Sequence, residues 1–220
     1  MTSKMKSGTF SDSLGRSGKN GHHATVYDVQ RDPNLTNKNI IRDKKTYNFP
    51  FVSGATYKGE WSNDVKHGFG TLKCPDGTIY EGDWESNMKS GRGTLWRKRG
   101  KISAKEYVGE WKEDKMDGEG IFYHENGDVY QGNFVAGKKC GRGKHQYVNG
   151  SKYEGEHENG VRCGFGTFYN ENGDIYEGYW LNNVKEGPGK YNYLTTRKVY
   201  EGEWVSDKPK CGEFRDATTE

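Results

Sequence analysis

The chain has 220 residues, of which 30% are hydrophobic and 30% charged, with 32 glycines, 15 tyrosines and a formal net charge of +3. Leu, Ile, Val and Phe together supply only 33 residues, which is too few for an aliphatic core. The near-neutral charge and the 14% aromatic share nevertheless exclude disorder of the whole chain. Any core must be thin and built from rings and glycines. The absence of a long apolar run or an apolar leader near Met1 predicts a soluble intracellular protein.

Residues 1–52 read as an irregular basic arm. Residues 1–50 hold nine Lys/Arg against four Asp/Glu, whereas 51–220 hold 25 against 27, so the basic character of the chain belongs to the arm. Its Ser, Gly, Asn and Lys content predicts a tail that is disordered alone and orders on a partner. Its one dense apolar patch is Tyr47-Asn48-Phe49-Pro50-Phe51-Val52. This aromatic segment, 47–52, is expected to cap the open edge of whatever sheet follows, since Pro blunts an exposed edge.

From residue 57 a short segment recurs. Units open at Tyr57, Tyr80, Tyr107, Tyr130, Tyr153, Tyr176 and Tyr200, a periodicity that marks a repeat architecture. In most units Tyr, Gly and Trp stand at i, i+2 and i+4, as in YKGEW and YEGDW, which puts all three on one face of a strand. A polar link and Gly-x-Gly follow, as in GFGTLKC and GFGTFYN, and read as a second strand. Asp76-Gly77, Asn126-Gly127, Asn149-Gly150 and Asn172-Gly173 then close four of the units. Such dipeptides between alternating runs predict type I′ hairpin turns, in which both central residues take φ > 0. Each unit is therefore a β-hairpin. Isolated hairpins are marginal in water, so stability must come from stacking against neighbours. The glycines are expected to give each ring a flat surface to lie on.

With these residues the sequence resembles the MORN-repeat family, whose unit reads Y-x-G-x-W, a polar link and G-x-G. Six units match well and the seventh partly, over about residues 57–214. The resemblance implies an all-β fold, an elongated open single-layer array of six to seven stacked antiparallel hairpins, here spanning 53–215 with a tail at 216–220. It also implies a non-catalytic scaffold or adaptor. Members occur in ciliary and flagellar axonemes, including radial spokes, in cytoskeletal assemblies and at membrane junctions. The expected setting is thus cytoplasm and cytoskeleton, with a cilium or flagellum axoneme as the place of work. Some members carry an attached enzyme domain, and the six residues after Phe214 leave no room for one.

The candidate site is the aromatic strip itself: Tyr57, Trp61, Tyr80, Trp84, Tyr107, Trp111, Tyr130, Phe134, Tyr153, Tyr176, Trp180, Tyr200 and Trp204. It is either the core of the sheet or a groove for a partner peptide or helix, and aromatics are enriched at binding hot spots. Phe134 and His157 replace Trp, so the ladder is expected to weaken in the fourth and fifth units. The longer second unit carries Arg97, Lys98, Arg99, Lys101 and Lys105, a basic loop that is either solvated or in contact with an acidic surface such as anionic lipid.

No catalytic residue, cofactor or metal is expected. None of the Gly-x-Gly pairs completes a phosphate loop, and GRGKH at 141–145 lacks the Ser or Thr that would hold magnesium. The six histidines lack metal-ligand spacing. Cys74, Cys140, Cys163 and Cys211 form no C-x-x-C, and equivalent positions in adjacent hairpins lie about 10 Å apart, too far for Cys140 and Cys163 to bridge. Partners are expected among axonemal or cytoskeletal proteins, with self-association through open ends and anionic lipid as further options. Nucleic acid is not expected, because Glu alternates with the rings.

Overall fold

The computed structural model describes residues 45–48, as backbone, and 54–217. The basic arm up to residue 44, positions 49–52 of the expected cap, Ser53 and the last three residues lie outside the described residues. Every element among the described residues is a strand. β1 (Lys45–Asn48), β2 (Thr56–Ser62), β3 (Val65–Lys73), β4 (Ile79–Glu85) and β5 (Met88–Arg99) are followed by β6 (Ile102–Lys112), β7 (Lys115–Tyr123), β8 (Val129–Val135), β9 (Lys138–Gln146) and β10 (Lys152–Glu158). β11 (Val161–Tyr169), β12 (Ile175–Leu181), β13 (Val184–Tyr193), β14 (Lys198–Val205) and β15 (Lys208–Asp216) complete a single antiparallel sheet in which spatial order equals chain order. This is the open all-β array the repeats predict.

The register explains the glycines. Gly59 pairs with Gly70, and Gly70 in turn with Gly82 across the next strand, so a ribbon of glycine backbone runs across the strands. Over each Gly pair lies the tyrosine that opens the unit. A Cβ placed on Gly120 would collide with the Tyr107 hydroxyl and ring carbons. The ring is pressed flat and its hydroxyl donates to the carbonyl three residues on, as Tyr107 does to Glu110 at 3.0 Å and Tyr153 to Glu156 at 3.0 Å. The tyrosines of the first six units are at most 1% exposed, although only one layer of sheet lies beneath them.

The turns correct the sequence reading. Two-residue turns with both φ positive do occur, but inside the polar link: Asn63-Asp64, Ser86-Asn87, Glu113-Asp114, Ala136-Gly137, Asn159-Gly160, Asn182-Asn183 and Ser206-Asp207. At Asp76-Gly77 and its counterparts only the glycine has positive φ. There the loop has three residues, with Gly77 N–H donating to Cys74 O and Cys74 N–H to Thr78 O, a type I turn closed by a left-handed glycine. The acidic or amide residue is selected for another reason, since its side chain accepts from the N–H two residues on: Asp76 from Thr78, Asn126 from Asp128, Asn149 from Ser151 and Asn172 from Asp174. The Asn-Gly rule was thus applied to the wrong one of two alternating turns.

Gly120→Ala is expected to destabilise the protein by about 1–3 kcal/mol through overpacking, and Trp111→Ala by about 3–5 kcal/mol through loss of a buried ring. Urea unfolding followed by fluorescence measures both. Unchanged midpoints would mean that the ring layer is not what stabilises the sheet.

Candidate functional site: the aromatic staple and its interruption

The strip predicted from the sequence is brought together, and it is buried. Trp84, Trp111, Trp180 and Trp204 are 3–6% exposed and Phe134 is 2% exposed, while Trp61 in the first unit is half-buried. Each tyrosine of the first six units is held edge-on between two rings, one from its own unit and one from the next. Tyr80 meets Trp84 at 5.1 Å and Trp111 at 5.3 Å, both nearly perpendicular, and each such pair contributes about 0.5–1.5 kcal/mol beyond burial. The Trp of the following unit also reaches back to the glycine ribbon. Trp84 Nε1 donates to Gly70 O, Trp111 to Gly93 O and Trp180 to Gly166 O.

Two features of this staple escaped the sequence reading. In the first, second, fifth and sixth units the residue nine places after the opening Tyr is a cation that caps the next unit's Trp: Lys66 lies 4.2 Å from the Trp84 ring centroid, Lys89 4.9 Å from Trp111, Arg162 4.2 Å from Trp180 and Lys185 4.8 Å from Trp204. The same residue is latched by the second turn residue of the next unit. Asn87 donates its N–H to Lys66 O and accepts from Lys66 N–H through Oδ1, and Asp114 does the same with Lys89, Asn183 with Arg162 and Asp207 with Lys185. The signal was legible as Asn or Asp at one fixed place in the polar link, but its meaning required the register.

Between the third and fourth units the cation is replaced by Met116 and the latch by Gly137, yet Phe134 keeps both ring contacts; the ring core itself divides at one place. Between the fourth and fifth units Trp is replaced by His157, the expected aliphatic or Phe at the Gly-x-Gly strand by His145, and the latch residue by Gly160, which has no side chain to accept from Lys139. The core divides there, one cluster of buried rings ending at Phe134 and the other beginning at Tyr153. In its stead stands a polar group. Lys139 Nζ lies 3.3 Å from His124 Nε2 and 3.3 Å from His145 Nδ1, and 4.6 Å from the Tyr130 ring centroid. His124 and His145 stack with planes 4° apart, Tyr147 stacks on His145 at 4.3 Å, and His145 Nε2 is 3.6 Å from Asp128. His157 is 4% exposed, and its Nδ1 makes no hydrogen bond. Burial, reinforced by the Lys139 charge, pushes His145 and His157 down to about 4 and lowers His124. Burial likewise pushes Lys139 down to about 8.

The basic loop is a hairpin extension of β5 and β6 turning at Gly100-Lys101. Its charge is partly used at home. Arg97 pairs with Glu106, and Arg99 donates to the carbonyls of Tyr123 and His124. Lys98 and Lys101 remain exposed, Lys105 is half-buried, and Ile102 at the tip is 66% exposed. The four cysteines are free thiols, and among the described residues no group of three or more His, Cys, Asp or Glu is placed to hold a metal. The glutamates of YEGEW stand on the face opposite the rings.

The opposite face carries the exposed apolar side chains. Phe165 and Tyr179 are cross-strand partners in edge contact at 5.7 Å, and they are 37% and 48% exposed. Tyr179, with Leu181, 54% exposed, and Pro188, borders a shallow depression reaching Gly164 and Glu186. Acidic residues stand on both flanks: Glu156 lies against Gly164, and Glu203 pairs with Pro188.

The MORN repeat model matches residues 57–79, 80–101, 107–129, 130–152, 153–175, 176–193 and 200–210. The chain belongs to the MORN-repeat family. MORN repeats are generally protein- or membrane-binding repeats, and proteins built from them are generally non-catalytic scaffolds. No curated protein matches the chain. Among solved structures, a similar one is the SAS-4 (dCPAP) TCP domain of Drosophila melanogaster, in complex with a proline-rich motif of Ana2 (dSTIL). It shares 10% identity at a TM-score of 0.39, over 87% of this chain and 98% of that one.

The histidines set a pH dependence. An unfolded His binds its proton near pH 6.5, whereas His145 and His157 in the folded MORN array bind theirs only near 4, so between these values the unfolded state holds more protons and acid favours it. The urea midpoint is expected to fall from pH 6.5 to 4, and His157→Trp, which rebuilds the staple, to flatten that fall. A midpoint constant over this range, or equally steep in the variant, would sink the assignment.

Proposed function

We propose that this MORN-repeat chain is a non-catalytic adaptor that docks other proteins within a ciliary or flagellar axonemal assembly such as a radial spoke, in the cytoskeleton of the cytoplasm. The finer details of its sequence favour this setting: the lengthened second unit ending RKRGKISAKE, the closing Lys210-Cys211-Gly212 and the segment HHATVY at 22–27 resemble MORN repeat-containing protein 3, a relative associated with flagella. One observation carries the adaptor reading. The rings of the strip are used up in holding units together, which leaves the opposite face, with Phe165, Tyr179, Leu181 and Pro188 exposed, as the surface for a partner. Apolar side chains flanked by Glu156 and Glu203 suit a partner segment that carries an apolar anchor between Lys or Arg residues.

The test is purification of the tagged protein from ciliated cells after detergent and then salt extraction. Wild type is expected to keep defined axonemal partners through detergent. Tyr179→Ser with Leu181→Ser is expected to lose them with a melting curve little changed, since exposed substitutions usually shift stability by less than about 0.5 kcal/mol. Retention of the same partners by that double variant would place docking elsewhere.

A second reading rests on the β5–β6 hairpin. Ile102 at its tip, with Lys98 and Lys101 beside it, has the composition of a small anchor for an anionic phospholipid surface, and such a protein would link membrane to cytoskeleton. Sedimentation with vesicles of phosphatidylserine and phosphatidylcholine, against phosphatidylcholine alone, decides it. Binding that needs phosphatidylserine and falls in Ile102→Ser supports this reading, and no sedimentation with either vesicle removes it.

A further inference from the structure

The group at the interrupted staple contains a lysine in surroundings unlike those of its counterparts. Lys66, Lys89 and Lys185 each lie over a Trp ring and are latched by an Asn or Asp of the next unit. Lys139 holds the same place in its unit, yet it faces His157 where the Trp would be and Gly160 where the latch would be. Its Nζ lies 3.3 Å from an imidazole nitrogen on each side, His124 Nε2 and His145 Nδ1. The groups around it are the Tyr130 ring beneath, the stacked Tyr147, the carboxylate of Asp128 beyond His145, and Arg162, which acts on His157. Asp128 is the one anion facing it, and the two neighbouring imidazoles are kept neutral.

A lysine amine in a poorly solvated pocket beside other basic groups is the usual form of an activated amine nucleophile. We propose that Lys139 is such an amine, a modification site at which this protein accepts an acyl group from a thioester. The ammonium loses a proton to solvent, and the freed amine attacks the thioester carbonyl carbon to form the C–N bond. Collapse of the tetrahedral adduct breaks the C–S bond; the thiolate leaves and takes up a proton, and the second amine proton goes to solvent. The products are an amide on Lys139, a free thiol and one released proton, with no change of oxidation state.

The geometry and the titration agree. With Lys139 pushed down to about 8, roughly a fifth of it is unprotonated at pH 7.4, against less than about a thousandth of an ordinary lysine. The amide would remove the cation beside His124 and His145, and with it the charge that adds to burial in holding both imidazoles down. Acylation would therefore write a charge change at the one junction where the ring core is discontinuous. This site is independent of the docking face and of the reading built on it.

The probe is S-acetyl-N-acetylcysteamine, a small thioester, applied to the full chain at limiting concentration, with acetylation at each lysine followed by peptide mass spectrometry. Lys139 is expected to be acetylated at least about fivefold faster than Lys66 and Lys185, with a rate that rises with pH and levels off near 8. Guanidinium should abolish the difference. His124→Gln with His145→Gln should reduce the Lys139 rate toward that of Lys66; if this variant does not fold, the comparison of native with denatured wild type decides alone. Equal or slower acetylation of Lys139 than of Lys66 in the native protein, or a rate still climbing without a bend up to pH 10, would overturn the proposal.

Discussion

Everything in this fold depends on a tyrosine ring lying flat on two glycines. A single sheet has no second layer to bury its side chains against, and isolated hairpins do not persist in water. The array solves this by folding each ring down onto its own backbone, where any Cβ would collide with it, as at Gly70 beneath Tyr57 and Gly166 beneath Tyr153. The cost is the conformational freedom of two glycines per unit. The return is a tyrosine removed from water with its hydroxyl bonded to a carbonyl.

The second constraint is that no unit can complete this arrangement alone. Tyr57 is closed over by Trp84, which belongs to the next unit, and Trp84 is capped by Lys66, which belongs to the first. Ring, cation and latch therefore alternate ownership along the chain, and nearest-neighbour coupling of this sort makes a repeat protein cooperative. Where His157 and Gly160 interrupt the alternation, the coupling drops, and the ring core separates into two clusters. The junction survives on stacked imidazoles, a shared lysine and continuous backbone pairing between β9 and β10. Polar contacts with partly satisfied groups make a poorer join than a Trp, and a more responsive one.

Much of this was legible in the sequence, because a strand shows its period of two directly. Tyr, Gly and Trp at alternate positions gave the strand, its buried face and the single-layer architecture; of the two Trp replacements, His157 marks where the ring core divides, whereas Phe134 packs as a Trp would. The turns were not legible, since Asn-Gly at 126–127 carries the same local signal whether the glycine ends a three-residue loop or fills a two-residue one. Only the register distinguishes them. The cation at Lys66, Lys89 and Lys185 read as ordinary surface charge, because its ring partner lies 18 to 22 residues away in the next unit. The same distance hid the basic loop's fate, as Arg99 spends its charge on carbonyls at 123 and 124.

The inward use of the rings bears on how a chain of this kind acquires specificity. Tyr, Gly and Trp are held in place by packing, so a unit cannot change them without weakening its neighbours. The intervening positions face the other way and are bound by no such rule: Glu81 and Asp83 in one unit become Val108 and Glu110 in the next, and Glu177 and Tyr179 further on. The units thus place a variable pair of side chains at fixed intervals on one face, some of them paired or buried, as Glu110 is with Arg92 and Val108 is in the sheet. A partner that reads this face reads charge and shape in register with the repeat. Where apolar residues gather on it, as at Phe165, Tyr179 and Leu181, they do so without any demand from folding, and that independence from folding is what separates a binding surface from a core.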